Sequence, residues 1–400
     1  MLAEYLSFAR SHPRPLAFGL LLASLSSFGQ TFFIALSGAG IRADFGISDG
    51  QLGLSYAAAT LASGFALGWA GRWIDRVTLR HYTLGATLLL ALGCVAMALV
   101  PGVWALPAAF FLLRIAGQGL LTHTAMTATA RRFGPDRGKA LALVALGFAL
   151  GEAALPPMAV GLLPWIGWRG LWWCATGALL IGAWLALRLL PRSEAAPPSR
   201  LGSTAAPRPP SLWRDHRLWL VMPAILAPSF VVTGFFFHQL RLAMELNWDL
   251  GVVAGAFAGY ALARAGAMLR AGPVIDRIGA TPLLPVFLLP LTLAMVAIVM
   301  GSGSQIAAVS YLVLAGLTSG VSTTMTTAMW TEFYGLERLG AVRAAVAGAG
   351  VIASALAPAA FGWLLDLGIT LHRQALWSLF GMVLAALLTL PVSRPWRRGR

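Results

Sequence analysis

GRWIDR, residues 71–76, returns as GPVIDR at residues 272–277, 201 positions further along a chain of 400. Each copy closes an apolar run with an aspartate followed by an arginine. A charged turn written twice points to an internal repeat, which reframes every local reading. The same offset carries Gly147, Pro157 and Gly161 onto Gly348, Pro358 and Gly362. The register therefore holds from Gly71 to Gly161 without a slip.

Composition identifies the medium in which this repeat sits. Hydrophobic residues make up 58% of the chain and charged residues 11%, against roughly a quarter charged in soluble domains. A helix crossing a bilayer needs about 20 apolar residues. Twelve runs qualify as spans 1 to 12: 16–41, 50–72, 80–101, 104–130, 139–163, 169–190, 217–240, 250–272, 281–301, 305–330, 340–364 and 373–391. The expected fold is an all-α membrane protein, twelve transmembrane helices in two pseudo-symmetric six-helix bundles. Leu16 to Leu25 has the length of a signal-peptide core, but the apolar run continues through Ile41, so it reads as an uncleaved first span.

The long polar stretch PRSEAAPPSRLGSTAAPRPPSLWRDHR, residues 191–217, is rich in Pro, Ser and Ala and shows no apolar period. It predicts a flexible linker over 191–216 between an N-terminal bundle, 1–190, and a C-terminal bundle, 217–400. The other connections are too short for a soluble domain. Two halves of like orientation imply a parallel repeat about the membrane normal, with a substrate site between them near the midplane.

The net charge is +15, and the placement of the 29 basic residues explains it better than nucleic acid does. With the N-terminus inside, and span ends counted with the adjoining connections, 23 fall in the termini and even-numbered connections, four in odd-numbered ones (Arg42, Arg169, Arg241, Arg373) and two deep within spans. This is the positive-inside pattern, which sets both termini in the cytoplasm, with a bacterial inner membrane expected. Attraction to anionic lipid headgroups follows. Cys94 and Cys174 lie in apolar runs without metal-ligand spacing and read as small packing residues. No metal-spaced cluster, phosphate-cradling loop or nucleophile elbow is present, so neither an enzyme nor a cofactor is expected.

Three formally charged side chains lie inside the spans away from their ends: Arg114 in span 4, Glu152 in span 5 and Arg264 in span 8. Each costs roughly 2.5 to 3.5 kcal/mol at a helix centre on insertion scales, so each should face the interior and find a partner. The repeat supplies a control. Arg114 maps onto Ala315, Glu152 onto Ala353 and Arg264 back onto Ser63, so the architecture can be built there without charge. An Arg114–Glu152 ion pair that only fixes spans 4 and 5 is the plainer alternative.

Two arginines against one glutamate favour an anionic solute, since a guanidinium stays protonated and its planar fork matches a carboxylate. Tyr260, one turn before Arg264, shares its face. Gln118, four residues after Arg114, shares a stripe with it, and Gln30 of span 1 is a further substrate-facing candidate. His123 reads as a packing residue. Proton coupling needs a titratable group within the membrane. Burial can raise a carboxyl pKa, which makes Glu152 the first choice, and an imidazole ordinarily titrates near neutrality, which makes His238 the second.

GRWIDRVTLR resembles the signature loop between helices 2 and 3 of the major facilitator superfamily, and GPVIDRIG is the closer match, because Thr78 stands where the family usually has glycine. The resemblance covers essentially the whole chain and implies the twelve-helix fold and secondary transport. It also implies a conformational latch at Gly71, Asp75, Arg76, Gly272, Asp276 and Arg277. The glycines are expected to allow close helix approach, and Arg131 and Arg132 are expected partners for Asp75. RIAGQG resembles the family's span-4 arginine motif, with its Gln one position late. GFALGEAALPPMAVG resembles the glycine-rich span 5 of drug and proton antiporters, with Glu152 in place of a proline; Pro156 and Pro157 should bend this helix. TGFFFHQ and WTEFYGLERLGAVRA resemble the monocarboxylate and oxalate/formate transporter group, although Met268 occupies the usual place of its span-8 arginine.

The expected function is proton-coupled transport of a small organic anion, monocarboxylate-like, by alternating access. A proton-driven efflux antiporter for drugs or metabolites is the alternative. Expected partners are the solute, protons and membrane lipids, around a monomeric transporter.

Overall fold

The computed structural model of the protein describes residues 2–190 and 214–393. Most of the linker expected at 191–216 lies outside the described residues. Lipid offers backbone N–H and C=O groups no partner, so an apolar chain satisfies them inside helices. Among the described residues, nine helical stretches are long and apolar enough to cross a membrane. One of them, the 53-residue stretch Arg137–Leu189, is broken at Gly167 into spans 5 and 6. Asp49–Ala70 and the shorter Leu289–Met300 supply spans 2 and 9, giving the expected twelve.

The offset of 201 reappears in the backbone itself. Three pairs of left-handed residues match: Gly46 (φ 62°) with Asn247 (φ 53°), Gly134 (φ 44°) with Gly335 (φ 70°), and Gly167 (φ 64°) with Gly368 (φ 80°), while Gly279 and Gly303 have no left-handed mate. These are corners where one helix stops and the next begins. A Cβ makes the left-handed region costly, and Asn tolerates it better than most residues. Asn247 is the only non-glycine residue with positive φ among those described.

The two signature loops do not share one conformation. Gly71–Asp75 winds into a tight 3-10 turn, and Thr78 then caps span 3 by accepting from His81 N. In the second copy the helix continues unbroken through Ile278, and the chain turns at Gly279 (φ 85°). Thr78 thus replaces the usual glycine by changing the solution: an N-cap instead of a left-handed corner.

The chain divides into two compact units: Met1–Ser48 with Leu54–Gly202, and Asp49–Gly53 with Ser203–Arg400. The first turn of span 2 therefore belongs to the second unit. In the first, span 1 packs on spans 4, 5 and 6, around Trp172 and Phe33 at 5.3 Å and right angles. Arg169, one of the few basic residues in an odd-numbered connection, donates to Ala98 O and Val100 O and faces Asp44 at 3.6 Å. It ties the start of span 6 to the end of span 3.

In the second unit, Phe235 meets Phe361 at 5.1 Å, and spans 8 and 10 press together through Gly316 and Gly320. A Cβ on these glycines would lie 2.4 Å from Tyr260 O and 2.3 Å from Arg264 O. Small residues four apart allow such backbone contact, which replaces the hydrophobic drive that lipid removes.

Two expectations are corrected. Gly71 and Gly272 are not points of close approach: a Cβ at Gly71 would meet nothing nearer than His123 Nε2 at 3.8 Å, and at Gly272 nothing within 4 Å. The tight contacts lie deeper, where backbones cross. Pro156 and Pro157 lie inside the helix of span 5, and the chain leaves helical dihedrals only at Gly167, the corner between spans 5 and 6. Cys174 is exposed, and only Cys94 is a buried packing residue.

Candidate functional site

Span 1 is not a continuous helix. Pro13–Leu25 passes into a 3-10 turn at Ser26–Gly29, Gln30 is extended (φ −86°, ψ 154°), and helix resumes at Thr31–Ala35. Opposite this break, span 4 widens into a π-helix over Arg114–Leu121, between Leu106–Leu113 and Thr122–Phe133. Such π segments recur at functional sites, because an extra residue re-aims the side chains around it. The two irregular segments touch backbone to backbone. A Cβ on Gly29 would lie 2.3 Å from Leu113 O, and one on Gly117 would lie 2.6 Å from Gly29 Cα.

Arg114 sits at this crossing and is only 3% exposed. Its Nη1 donates to Gly29 O at 3.2 Å, and the guanidinium lies 5.2 Å from the centroid of the Tyr56 ring. Tyr56, fully buried, shares a 2.6 Å hydrogen bond with Thr31 just past the break. The Nε of Arg114 has no hydrogen-bond partner among the described residues. A buried unsatisfied donor costs about 1–3 kcal/mol, and more when charged. The guanidinium is thus held by a carbonyl and an aromatic face, with donor capacity left over. Glu152, 8% exposed, follows Gly151, whose Cβ position lies 2.0 Å from Ser27 Oγ. The break in span 1 is therefore flanked by Arg114 on span 4 and by the backbone of Gly151, the residue before Glu152, on span 5.

Of the other expected site residues in the first unit, Gln30 is half-buried and forms the break itself, whereas Gln118, in the same π segment as Arg114, is exposed. His123 is half-buried, with Nδ1 3.4 Å from Thr127 Oγ1. In the second unit, Arg264 is half-buried, and Tyr260 is buried with its hydroxyl donating to Ser319 Oγ at 3.3 Å. Arg264 and Tyr260 lie one turn apart on span 8, as expected.

His238 caps the end of span 7 and is 2% exposed. Its Nε2 donates to Pro358 O at 3.0 Å, and its Nδ1 lies 3.6 Å from Asp49 Oδ1. Asp49 begins span 2 and is itself buried. Sequence reading placed it outside the spans and missed it, because a partner 189 positions away leaves no local signal.

In the first signature loop Asp75 pairs with Arg131, as expected. Asp276, Arg76 and Arg277 are exposed. The second loop is held differently: Glu332 accepts from Ala280 N at 2.7 Å and Thr281 N at 3.0 Å, and also from the Thr281 hydroxyl. Glu332 was not singled out from sequence, although it is the repeat mate of Arg131 and that relation was available as a signal.

Among solved structures, the nucleoside transporter NupG matches with a TM-score of 0.75 at 11% identity, over 95% of this chain and 99% of that one. A point mutant of the same transporter also gives 0.75, at 12% identity over 94% and 99%. This likeness is one of fold. The Pseudomonas aeruginosa protein named transcription regulatory protein OpdE is 30% identical over 222 residues, 54% of this chain and 52% of that protein. The chain thus spans about half the length of the curated relative it matches. The family model described as Major Facilitator Superfamily matches residues 16–358, a stretch that takes in both signature loops, the broken span 1 and all three intramembrane charges. By that match, on a fold of twelve helices in two six-helix bundles, the chain belongs to the major facilitator superfamily of membrane transporters.

Proposed function

We propose that this transporter moves a small organic anion, monocarboxylate-like, in exchange with or alongside protons, in a bacterial inner membrane with both termini in the cytoplasm. The observation that carries this reading is Arg114: a buried guanidinium with an uncommitted Nε, set where one helix is broken and its neighbour is widened. Broken helices line binding sites in transporters, because irregular backbone is tolerated at membrane depth only inside protein or beside a cavity. A guanidinium in low dielectric favours a carboxylate over a neutral or cationic solute. Its repeat mate, Ala315, is fully buried and neutral. Arg264 on span 8 supplies the second cation, with Tyr260, Gln30 and Gln118 as further substrate-binding candidates.

Glu152 is the proposed proton site, a buried carboxyl beside the break. His238, with Asp49, is the second. The pairing of Asp75 with Arg131 supports a latch at the first signature loop, with Gly71, Arg76, Gly272, Asp276 and Arg277 as its other proposed members.

The test is ligand-induced thermal stabilisation of the purified transporter with monocarboxylates, lipophilic cations and nucleosides across pH. A monocarboxylate near a hundred times its Kd adds about 2.7 kcal/mol, a shift of several degrees. We expect that shift to vanish in Arg114→Ala and to shrink in Arg114→Lys. Stabilisation by lipophilic cations alone would favour the efflux alternative, and a monocarboxylate shift untouched by Arg114→Ala would remove the site.

A further inference from the structure

The first unit holds a cavity of about 460 Å³, separate from the solute site proposed at Arg114 and sharing only Arg131 with the proposed latch. Four arginines line it, Arg14, Arg131, Arg132 and Arg188, and Phe18 and Phe133 contribute to its apolar wall. It lies where spans 1, 4 and 6 end beside the first signature loop, on the side where most basic residues cluster. Arg131 pairs with Asp75, and Arg188 lies over the Trp184 ring at 5.1 Å. Among the described residues, Arg14 and Arg132 form no ion pair or hydrogen bond. So much like charge, with one carboxylate close by, calls for a counter-ion.

The repeat again provides the comparison. The equivalent cavity of the second unit, about 320 Å³, is lined by His216, Arg217, Glu332 and Phe333. Position for position, Arg131 becomes Glu332, Arg132 becomes Phe333, Arg14 becomes Asp215 and Arg188 becomes Thr389. The cavity belongs to the architecture; a lining of four arginines without a carboxylate belongs to the first copy, whereas the second sets Arg217 against Glu332. The amphipathic helix Leu2–Ser11 lies alongside, with Phe8 and His12 each 5.3 Å from the Phe133 ring. A helix of that pattern suits the boundary between headgroups and acyl chains.

We propose that this cavity binds an anionic phospholipid. The phosphate sits among Arg14, Arg132 and Arg188, and an acyl chain lies along Phe18 and Phe133. Basic pockets between helix ends at a membrane face suit such headgroups. A free phosphate shares the charge but has no use for the apolar wall, so the lining favours the lipid. An anionic headgroup here also competes with Asp75 for Arg131, which couples lipid composition to the first signature loop.

The experiment is native mass spectrometry of the full-length transporter with equal mole fractions of phosphatidylglycerol and phosphatidylcholine. Parallel thermal-shift measurements use millimolar inorganic phosphate. We expect wild type to retain phosphatidylglycerol selectively. That selectivity should fall about thirty-fold in the Arg14→Gln, Arg132→Gln double variant, the scale for two basic residues beside anionic headgroups, and should persist in the corresponding double lysine variant. If the glutamine pair is not monodisperse, Arg132→Gln alone decides, with a loss of about five-fold.

No selectivity in wild type would overturn the proposal. Unchanged selectivity in the glutamine variants would overturn it too. Stabilisation by phosphate without lipid retention would assign a free-anion site instead. None of these outcomes bears on monocarboxylate binding at Arg114, which is read with a different ligand.

Discussion

Arg131 and Glu332 stand 201 residues apart at equivalent positions, carry opposite charges, and each grips the signature loop of its own unit. Arg131 holds a side chain, Asp75, in a half-exposed ion pair, with side chains 44% and 56% exposed. Glu332 holds backbone N–H groups of Ala280 and Thr281. One position thus does one task with two chemistries. The task needs a long polar side chain at the end of span 4 or span 10, and the sign follows from what the loop presents.

The two grips should differ in worth. Exposed ion pairs contribute about 0–1 kcal/mol, whereas hydrogen bonds to a charged group contribute about 1.5–3 kcal/mol. We expect Asp75→Asn to change the unfolding midpoint little while altering the reactivity of cysteines introduced beside the loop. Glu332→Gln should lower stability by about 2 kcal/mol. Equal losses in thermal unfolding would contradict the distinction.

Glycine substitutions separate the close contacts from the sequence motif. Gly29→Ala puts a methyl within 2.3 Å of Leu113 O and should cost about 1–3 kcal/mol through overpacking. Gly272→Ala meets nothing within 4 Å and should be neutral to within about 0.5 kcal/mol. Folded yield and unfolding midpoint in a fixed detergent compare the two directly. A damaging Gly272→Ala would restore the close-approach role that the structure denies it.

Glu152→Gln removes the titratable group beside the break while keeping its shape. We expect it to bind solute as wild type does and to lose pH-driven accumulation in proteoliposomes. Wild-type accumulation in that variant would move the proton site, with His238 next in line.

His238→Ala deletes the donor to Pro358 O and leaves that carbonyl without this bond. A loss of about 1–3 kcal/mol is expected, read as a lower unfolding midpoint. His238→Gln, which retains a donor, should recover part of it.

The fold was legible because it is written twice: the offset read from GRWIDR and GPVIDR is the one that relates the corners Gly134 and Gly335, and Gly167 and Gly368, in the backbone. The intramembrane charges were legible for a related reason, since Ala315 and Ala353 mark where charge is not structural. The break at Gln30 and the π segment at Arg114–Leu121 were not. Neither RIAGQG nor SSFGQ carries a proline or a charge pattern that marks irregular backbone; both depend on Gly29 and Gly117 meeting across the bundle. The pairing of His238 with Asp49 was hidden likewise, as a contact that only the tertiary fold creates. Gly71 and Gly272 misled in the other direction: a motif glycine suggested contact where there is open room.

The matched corners constrain engineering. Asn247 fills a left-handed site whose counterpart is Gly46, so the carboxamide there is replaceable, and Asn247→Gly should be accepted with its geometry intact. A chimera that transplants a helix from one half into the other must carry its own hinge residue along, or place a branched side chain where the chain has to double back.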